Sequence, residues 1–101
     1  MILSKTNTLS QDITVARNAG FTSDFLYREN RLLCRTNNKW YDKNECYLVE
    51  YCRHEELNDP SDSSILFLIE CSDGTKGCLS CAYGTYADSD LIEFVLSLNK
   101  N

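Results

Sequence analysis

The fold is decided by residues 65–83, which read ILFLIECSDGTKGCLSCAY. Residues 65–69 are a continuous apolar run of the length expected for a buried strand. Asp73-Gly74 follows it, and this dipeptide between two apolar segments is one of the strongest short-range signals for a β-hairpin. We therefore expect residues 65–72 to pair antiparallel with residues 76–83. The turn is expected to be type I′, with positive φ at both Asp73 and Gly74.

Helices are predicted on either side of the strand region. Thr8 and Gln11 have the spacing of a capping box, and Gly20 suits the left-handed position that ends a helix, so the first helix is expected over residues 9–19. Asp88 or Ser89 is expected to cap the second helix. Its apolar stripe consists of Leu91, Phe94, Val95 and Leu98.

The intervening residues predict further strands. Residues 25–28 and 32–35 are short strand candidates around a Glu29-Asn30 turn, and residues 46–54 alternate, with Leu48, Glu50 and Cys52 on one face. Residues 36–44 read as a polar loop, apart from Trp40-Tyr41. We expect one α+β domain over residues 1–101, with residues 1–7 flexible. It has an N-terminal helix, an antiparallel β-meander of about four to five strands and a C-terminal helix. Both helices are expected on one face of the sheet.

Charge and hydropathy exclude several classes of function. The 101 residues carry a net charge of −5 and a pI of about 4.7, which argues against a general nucleic-acid or membrane-surface role. The longest apolar run is of strand length, so no membrane span is predicted. The first residues do not read as an export signal, which predicts a cytoplasmic location.

Cysteines raise the questions of disulfides and of zinc. The chain has six, and in a reducing compartment we expect them to be packed thiols without disulfides. A zinc site would be built on Cys78-x-x-Cys81. Positions three apart in a strand point to opposite faces, however, so these two thiols are expected to diverge. We predict no structural metal and no cofactor. The candidate ligands that would complete a zinc site with Cys78 and Cys81 are His54, Cys52 and Cys71.

No complete catalytic constellation is present in the sequence. His54 is the one histidine, and at the end of a charged strand it is expected to be solvated rather than a base. The Asp59-Pro60-Ser61-Asp62 loop lacks the ligand pattern of a calcium loop and is better read as a turn. In Tyr83-Gly84-x-Tyr86, Gly84 allows a close backbone approach beside two aromatic hydroxyls, which suits a ligand or partner. The alternative is that this segment packs on the C-terminal helix.

Six short motifs over residues 8–87 match one known family in combination. They are Asp24-Phe25, Leu33-Cys34, Glu50-Tyr51-x-Arg53, Pro60-x-Asp62-x-x-Ile65-Leu66, Asp73-Gly74-x-Lys76-Gly77 and Ala82-Tyr83-Gly84-x-Tyr86. On these residues the chain resembles a family of small, uncharacterised bacterial proteins often labelled phosphoribosylpyrophosphate synthetase. The label implies a phosphate-bearing ligand. Enzymes that make or use phosphoribosyl pyrophosphate have two adjacent acidic residues and a phosphate-binding loop after an apolar strand. In this chain Glu70 is followed by Cys71-Ser72 instead of a second acid. The residues after the strand therefore favour a β-hairpin over a phosphate-binding loop.

The sequence therefore predicts a non-enzymatic binding or interaction module whose partner is a protein or a small molecule, and no catalytic residue. The alternative is a small-ligand or phosphate-handling protein, as the family label implies. In that alternative Arg53 and Lys76 supply charge, and tyrosines supply shape. The residues expected to form a ligand or partner site are Arg53, Asp59, Asp62, Lys76, Tyr83, Gly84 and Tyr86.

Overall fold

A computed structural model describes residues 2–55, 63–83 and 88–100. Within these residues the chain forms two α-helices, seven β-strands and one 3₁₀ turn. In chain order they are α1 (Leu9–Asn18), β1 (Ser23–Arg28), β2 (Arg31–Cys34), β3 (Lys39–Tyr41), the 3₁₀ turn (Lys43–Glu45), β4 (Cys46–His54), β5 (Ser64–Cys71), β6 (Lys76–Ala82), α2 (Ser89–Leu96) and β7 (Asn99–Lys100). In these parts of the chain, no helix has the length and apolarity needed to cross a membrane.

The seven strands form one sheet in the order β3-β2-β1-β6-β5-β4-β7. The α+β class and the helix at each end of the sheet region are confirmed. The expected antiparallel meander is wrong, because the sheet is larger and mixed: β1 runs parallel to β6, and β7 runs parallel to β4.

Gly77 explains how β1 comes to lie beside β6. Ser23 pairs with Gly77, and Asp24 pairs with Cys78. A Cβ atom added at Gly77 would lie 2.3 Å from the Ser23 carbonyl oxygen and 2.8 Å from a ring carbon of Phe25. Only a residue without a side chain permits this approach.

The two helices cover opposite faces of the sheet, so the expectation of one shared face is wrong. Alternate residues of a strand point to opposite faces, and β5 is buried on both. Phe67 packs in the cluster that contains α2, whereas Leu68 packs in the cluster that contains α1. We call these clusters the α2-side core and the α1-side core. The α2-side core extends over β1, β2 and β3 through Phe25, Leu32, Cys34 and Tyr41.

The β5–β6 hairpin is confirmed, with Glu70 opposite Lys76 and Ser64 opposite Ala82. Its turn differs from the predicted type. The Gly74 N–H donates to the Cys71 carbonyl oxygen at 2.9 Å, and of the turn residues Gly74 alone has positive φ, +92°. This is the pattern of a three-residue hairpin loop that ends in a left-handed glycine.

The pair of positive φ angles occurs instead in the β1–β2 turn, at Glu29 (49°) and Asn30 (63°).

Local signals correctly located both helices. Thr8 and Gln11 form the predicted capping box, and Asp88 caps α2 by accepting from the Leu91 N–H. The region expected to be a polar loop contains β3. A register shift between Leu48 and Glu50 also breaks the alternation predicted for β4. As a result Leu48 belongs to the α2-side core, whereas Cys52 packs on the α1-side core.

Candidate functional site

One face of the β1–β3 region presents apolar side chains that belong to neither core, and α1 reaches its edge through the Arg17–Asp24 ion pair. Leu26 lies directly opposite Leu33, and Leu33 lies directly opposite Trp40, so the three side chains form a row across the strands. Leu26 is 37% exposed and Trp40 is 39% exposed, while Leu33 is half-buried. The row points away from the α2-side core, and neither core includes any of the three residues. We call this surface the outer face of β1–β3.

Three exposed arginines surround this row. Arg28 lies directly opposite Arg31, two positions from Leu26 and Leu33 respectively, and Arg35 follows β2. Like charges directly opposite each other destabilise a sheet. Within the described residues, none of these three arginines forms an ion pair. The outer face therefore carries three arginines without ion pairs among the described residues, on a chain whose net charge is −5.

The Arg31 guanidinium stacks on the exposed aromatic ring of the row. Its Cζ lies 4.9 Å from the centroid of the Trp40 ring. This cation–π contact holds the arginine and the indole side by side, so that one positive charge and one apolar ring are presented together.

Two of the residues predicted to form a site lie together. The Arg53 guanidinium donates to the Tyr83 hydroxyl at 3.3 Å and lies 4.6 Å from the centroid of its ring. Arg53 also pairs with Glu55 at 2.7 Å, and this hydrogen bond is the main cause of the raised pKa of Arg53. Both members of the Arg53–Glu55 pair are about half exposed, as is usual for weak surface pairs.

The other predicted site residues are not brought to this pair. Lys76 lies opposite Glu70, whereas Arg53 lies opposite Ile65. At the rise of a strand, these two levels of β5 are about 16 Å apart. The Lys76 ammonium instead lies 5.5 Å from the ring centroid of Phe21. Asp59, Asp62, Gly84 and Tyr86 lie outside the described residues, so their part in a site stays a prediction.

His54 is buried, and the expectation that it is solvated is wrong. It is 6% exposed, and its Nε2 lies 2.6 Å from Oδ2 of the fully buried Asp12. The Asp12 carboxylate also accepts from the backbone N–H of Ser4 and, at 2.8 Å, from the side-chain amide of Asn7. His54 Nδ1 is buried and has no hydrogen-bond partner among the described residues. One donor atom each from Asp12, Cys52 and His54 lie within 4.8 Å of one another.

The remaining thiols have the character of packing groups. Cys78 belongs to the α1-side core and Cys81 packs on the α2-side core, so the two point to opposite faces as expected. Burial raises the pKa of Cys81 to about 11. Cys46 and Cys71 lie directly opposite each other, and their mutual hydrogen bond, together with burial, raises the pKa of Cys71. Thiols of this kind are protonated at neutral pH and are weak nucleophiles. The absence of disulfides stays a prediction.

Sequence reasoning missed the outer face of β1–β3, although part of the signal was present. The two-residue Glu29-Asn30 turn fixes the register of β1 and β2, and that register places Leu26 opposite Leu33. Because polar residues surround Trp40, the segment that forms β3 was predicted to be part of a loop. The contact between Asp12 and His54 joins residues 42 positions apart, and no local pattern points to it.

No protein-family model, curated protein or solved structure matches this chain. The resemblance described from sequence motifs therefore stays a prediction.

Proposed function

We propose that this protein is a non-enzymatic interaction module whose outer face of β1–β3 binds an acidic segment of a partner protein. One observation carries the proposal: an exposed row of Leu26, Leu33 and Trp40 is surrounded by three arginines without ion-pair partners among the described residues.

The composition of the face supports protein binding. Tryptophan and arginine are the side chains most enriched among residues that dominate binding energy at protein interfaces. Trp40 and Arg31 already contact each other, so less side-chain freedom is lost when a partner covers them. The two leucines extend the apolar surface beside them.

The charges support an acidic partner. Arg28 and Arg31 face each other across the hairpin, which costs stability in the free protein. Carboxylates of a partner would relieve this repulsion, and arginine forms bidentate hydrogen bonds with carboxylates.

A short acidic segment fits better than a nucleic acid. Binding of single strands uses aromatic rings on which bases stack. The row offers one ring, and Arg31 already lies over it. The net charge of −5 also repels a long polyanion, whereas a short segment contacts only the arginines and the apolar row.

The phosphate-handling alternative has less support. It places the charges of Arg53 and Lys76 on one ligand, yet these residues lie at different levels of the sheet. Arg53 already contacts Glu55 and Tyr83.

Trp40 provides a direct test because it is the one tryptophan in the chain. Its fluorescence is followed while the protein is titrated with twelve-residue peptides that combine Asp and Glu with Leu and Phe. The same peptides with Lys in place of the acids, and a single-stranded RNA oligomer, serve as comparison probes. The variants are Arg31→Glu and Leu33→Asp, and the control is Arg53→Glu, which makes the same charge change at a different surface.

We expect saturable, salt-sensitive binding of acidic peptides, weakened about tenfold or more by Arg31→Glu or Leu33→Asp and unchanged by Arg53→Glu. The proposal is overturned if no acidic peptide saturates, if Arg53→Glu weakens binding as much as Arg31→Glu does, or if the RNA binds more tightly than every peptide. Melting temperatures of all variants show whether a loss of binding is a loss of folding.

A further inference from the structure

The buried contact between Asp12 and His54 leaves His54 Nδ1 without a partner among the described residues, and the Cys52 thiol lies close to the pair. We propose that Cys52 and His54 bind one divalent transition-metal ion of the Zn²⁺ class, and that Asp12 positions the His54 imidazole for this task. The set shares no thiol with the Cys78-x-x-Cys81 pair, and it departs from the expectation of no structural metal. It also lies on the α1 side of the sheet, apart from the outer face of β1–β3.

The imidazole is arranged as metal-binding histidines are. Such a histidine almost always donates one ring N–H to a carboxylate and uses the other nitrogen as the ligand. Here Nε2 lies 2.6 Å from the Asp12 carboxylate. With Nε2 as the donor of this bond, Nδ1 of the neutral imidazole has the free lone pair that a metal ligand needs. Nδ1 is buried and unpartnered in the described part of the chain, which is costly for a polar atom unless a further group binds it.

Asp12 is itself held in place. It is fully buried, and its two oxygens accept from the Ser4 N–H and the Asn7 side-chain amide as well as contacting His54. These bonds fix the carboxylate before any ion arrives. The imidazole that it contacts is therefore held in one orientation, which is the role of a positioning residue.

Cys52 supplies the second ligand. Cys52 and His54 are two positions apart on β4, so their side chains point to the same face of the sheet. The Cys52 Sγ lies within 4.8 Å of one ring nitrogen of His54 and of one carboxylate oxygen of Asp12. Cys52 is only partly buried, which leaves the site open to solvent on one side.

The donor set selects the class of ion. A thiolate and an imidazole favour Zn²⁺ and similar transition metals over Mg²⁺ or Ca²⁺, which prefer oxygen ligands. Burial, with the nearby charges of Asp12 and Glu50, raises the pKa of Cys52, so the metal-free thiol carries its proton at neutral pH. Binding of the ion replaces the S–H bond by an S–metal bond and releases that proton to solvent. Water fills the remaining coordination positions.

Co²⁺ is the probe for the test, because its bond to a thiolate gives a charge-transfer absorption band. The full chain is reduced, freed of metal with a chelator and titrated with Co²⁺, and then Zn²⁺ is added to displace it. The variants are Cys52→Ser and Asp12→Asn. The matched control is Cys81→Ser, which removes another partly buried thiol on the opposite side of the sheet.

We expect one equivalent of Co²⁺ with a thiolate band in the natural chain and in Cys81→Ser, and no such band in Cys52→Ser. Asp12→Asn is expected to keep the band and to bind about 10–100-fold more weakly. Zn²⁺ should raise the melting temperature of the natural chain but not that of Cys52→Ser.

The proposal is overturned if the natural chain gives no thiolate band, or if Cys52→Ser gives the same band. Unchanged affinity in Asp12→Asn would overturn the positioning role. Circular dichroism of each variant identifies loss of folding. If Asp12→Asn unfolds, the comparison of Cys52→Ser with Cys81→Ser still decides whether the site exists.

Discussion

The two halves of the sheet differ in how they are covered. Strand β5 is buried on both faces, with Phe67 in the α2-side core and Leu68 in the α1-side core. The β1–β3 half is covered on one face alone, and its other face presents Leu33 between Leu26 and Trp40. The apolar residues of β5 are therefore explained by packing, whereas those on the outer face of β1–β3 are not. An exposed apolar row with unpaired charges is typical of an interaction surface.

Besides the shared α2-side core, two contacts between the described strands join the halves. Gly77 brings β1 to β6, and Asp73 in the β5–β6 turn accepts from the Tyr41 hydroxyl at 2.8 Å and from the Lys39 ammonium at 3.1 Å. Tyr41 is fully buried, and its hydroxyl oxygen also lies 3.2 Å from the Thr75 hydroxyl. These contacts hold β3 near the turn, although three strands separate β3 from β5 in the sheet.

The largest predicted contrast is between the two kinds of apolar residue. Phe67→Ala should lower the free energy of unfolding by about 3–5 kcal/mol, because it leaves a cavity in a core strand. Leu33→Ala should lower it by about 1 kcal/mol or less, since a half-buried surface residue loses little on truncation. Urea denaturation measures both. Equal losses would show that the outer face is packed in solution, as β5 is.

Gly77→Ala tests the junction of the halves. The added methyl group would meet the backbone of Ser23, so we expect a loss of about 2–3 kcal/mol from overpacking. Amide hydrogen exchange should show protection lost chiefly in β1–β3. Gly20→Ala is the control, because nothing lies within 4 Å of its added Cβ and its cost comes from a φ of +104°. Uniform loss of protection in Gly77→Ala would contradict a local junction.

The contacts of Asp73 with Tyr41 and Lys39 should make the stability of the chain depend on pH. The Thr75 N–H, the Tyr41 hydroxyl and the Lys39 ammonium hold the pKa of Asp73 well below its usual range. A lowered folded-state pKa gives stability that is present above the unfolded pKa of about 3.9 and is lost as the pH falls below it. The stability difference between the natural chain and Asp73→Asn should therefore shrink from pH 5 to pH 2 in urea titrations. A difference that stays constant would exclude this linkage. Tyr41→Phe should show part of the same effect.

The smallest expected effect lies at the tip of the β1–β2 hairpin. Glu29 has a φ of 49°, which is unfavourable for a residue with a side chain. Glu29→Gly should raise stability by about 0.5 kcal/mol, because relief of the strain exceeds the entropy of a more flexible unfolded chain. Glu29→Ala, which removes the carboxylate but keeps Cβ, should give no gain. A gain in both variants would assign the effect to charge instead.

The sequence predicted the structural elements that are specified by residues close together in the chain. The capping box of Thr8 and Gln11 and the hairpin at Asp73-Gly74 act within a few positions, so the elements they specify could be located. The parallel pairing of Ser23 with Gly77 and the burial of His54 against Asp12 depend on distant partners. The bulge after Leu48 changes which face of the sheet the later residues of β4 point to. No glycine or proline lies at this position, so the sequence does not indicate the bulge.

The candidate site was likewise predicted only in part. Arg53 and Tyr83 were identified from motifs and do contact each other, but Lys76 lies at another level of the sheet. The outer face of β1–β3 required β3, whose Trp40 stands between polar residues that resemble a loop. The outer face can be identified only when it is known which face of the sheet each helix covers. The periodicity of a single strand does not contain that information.

Amide NMR with the tightest-binding acidic peptide tests the central claim most directly. Chemical shifts of the isotopically labelled chain are followed as the peptide is added. We predict that the largest changes fall on β1–β3, at Leu26, Arg31, Leu33 and the Trp40 indole N–H, with little change at Arg53 and Tyr83. Changes centred on Arg53 and Tyr83, or the absence of changes at saturating peptide, would contradict the assignment of the outer face of β1–β3 as the binding surface.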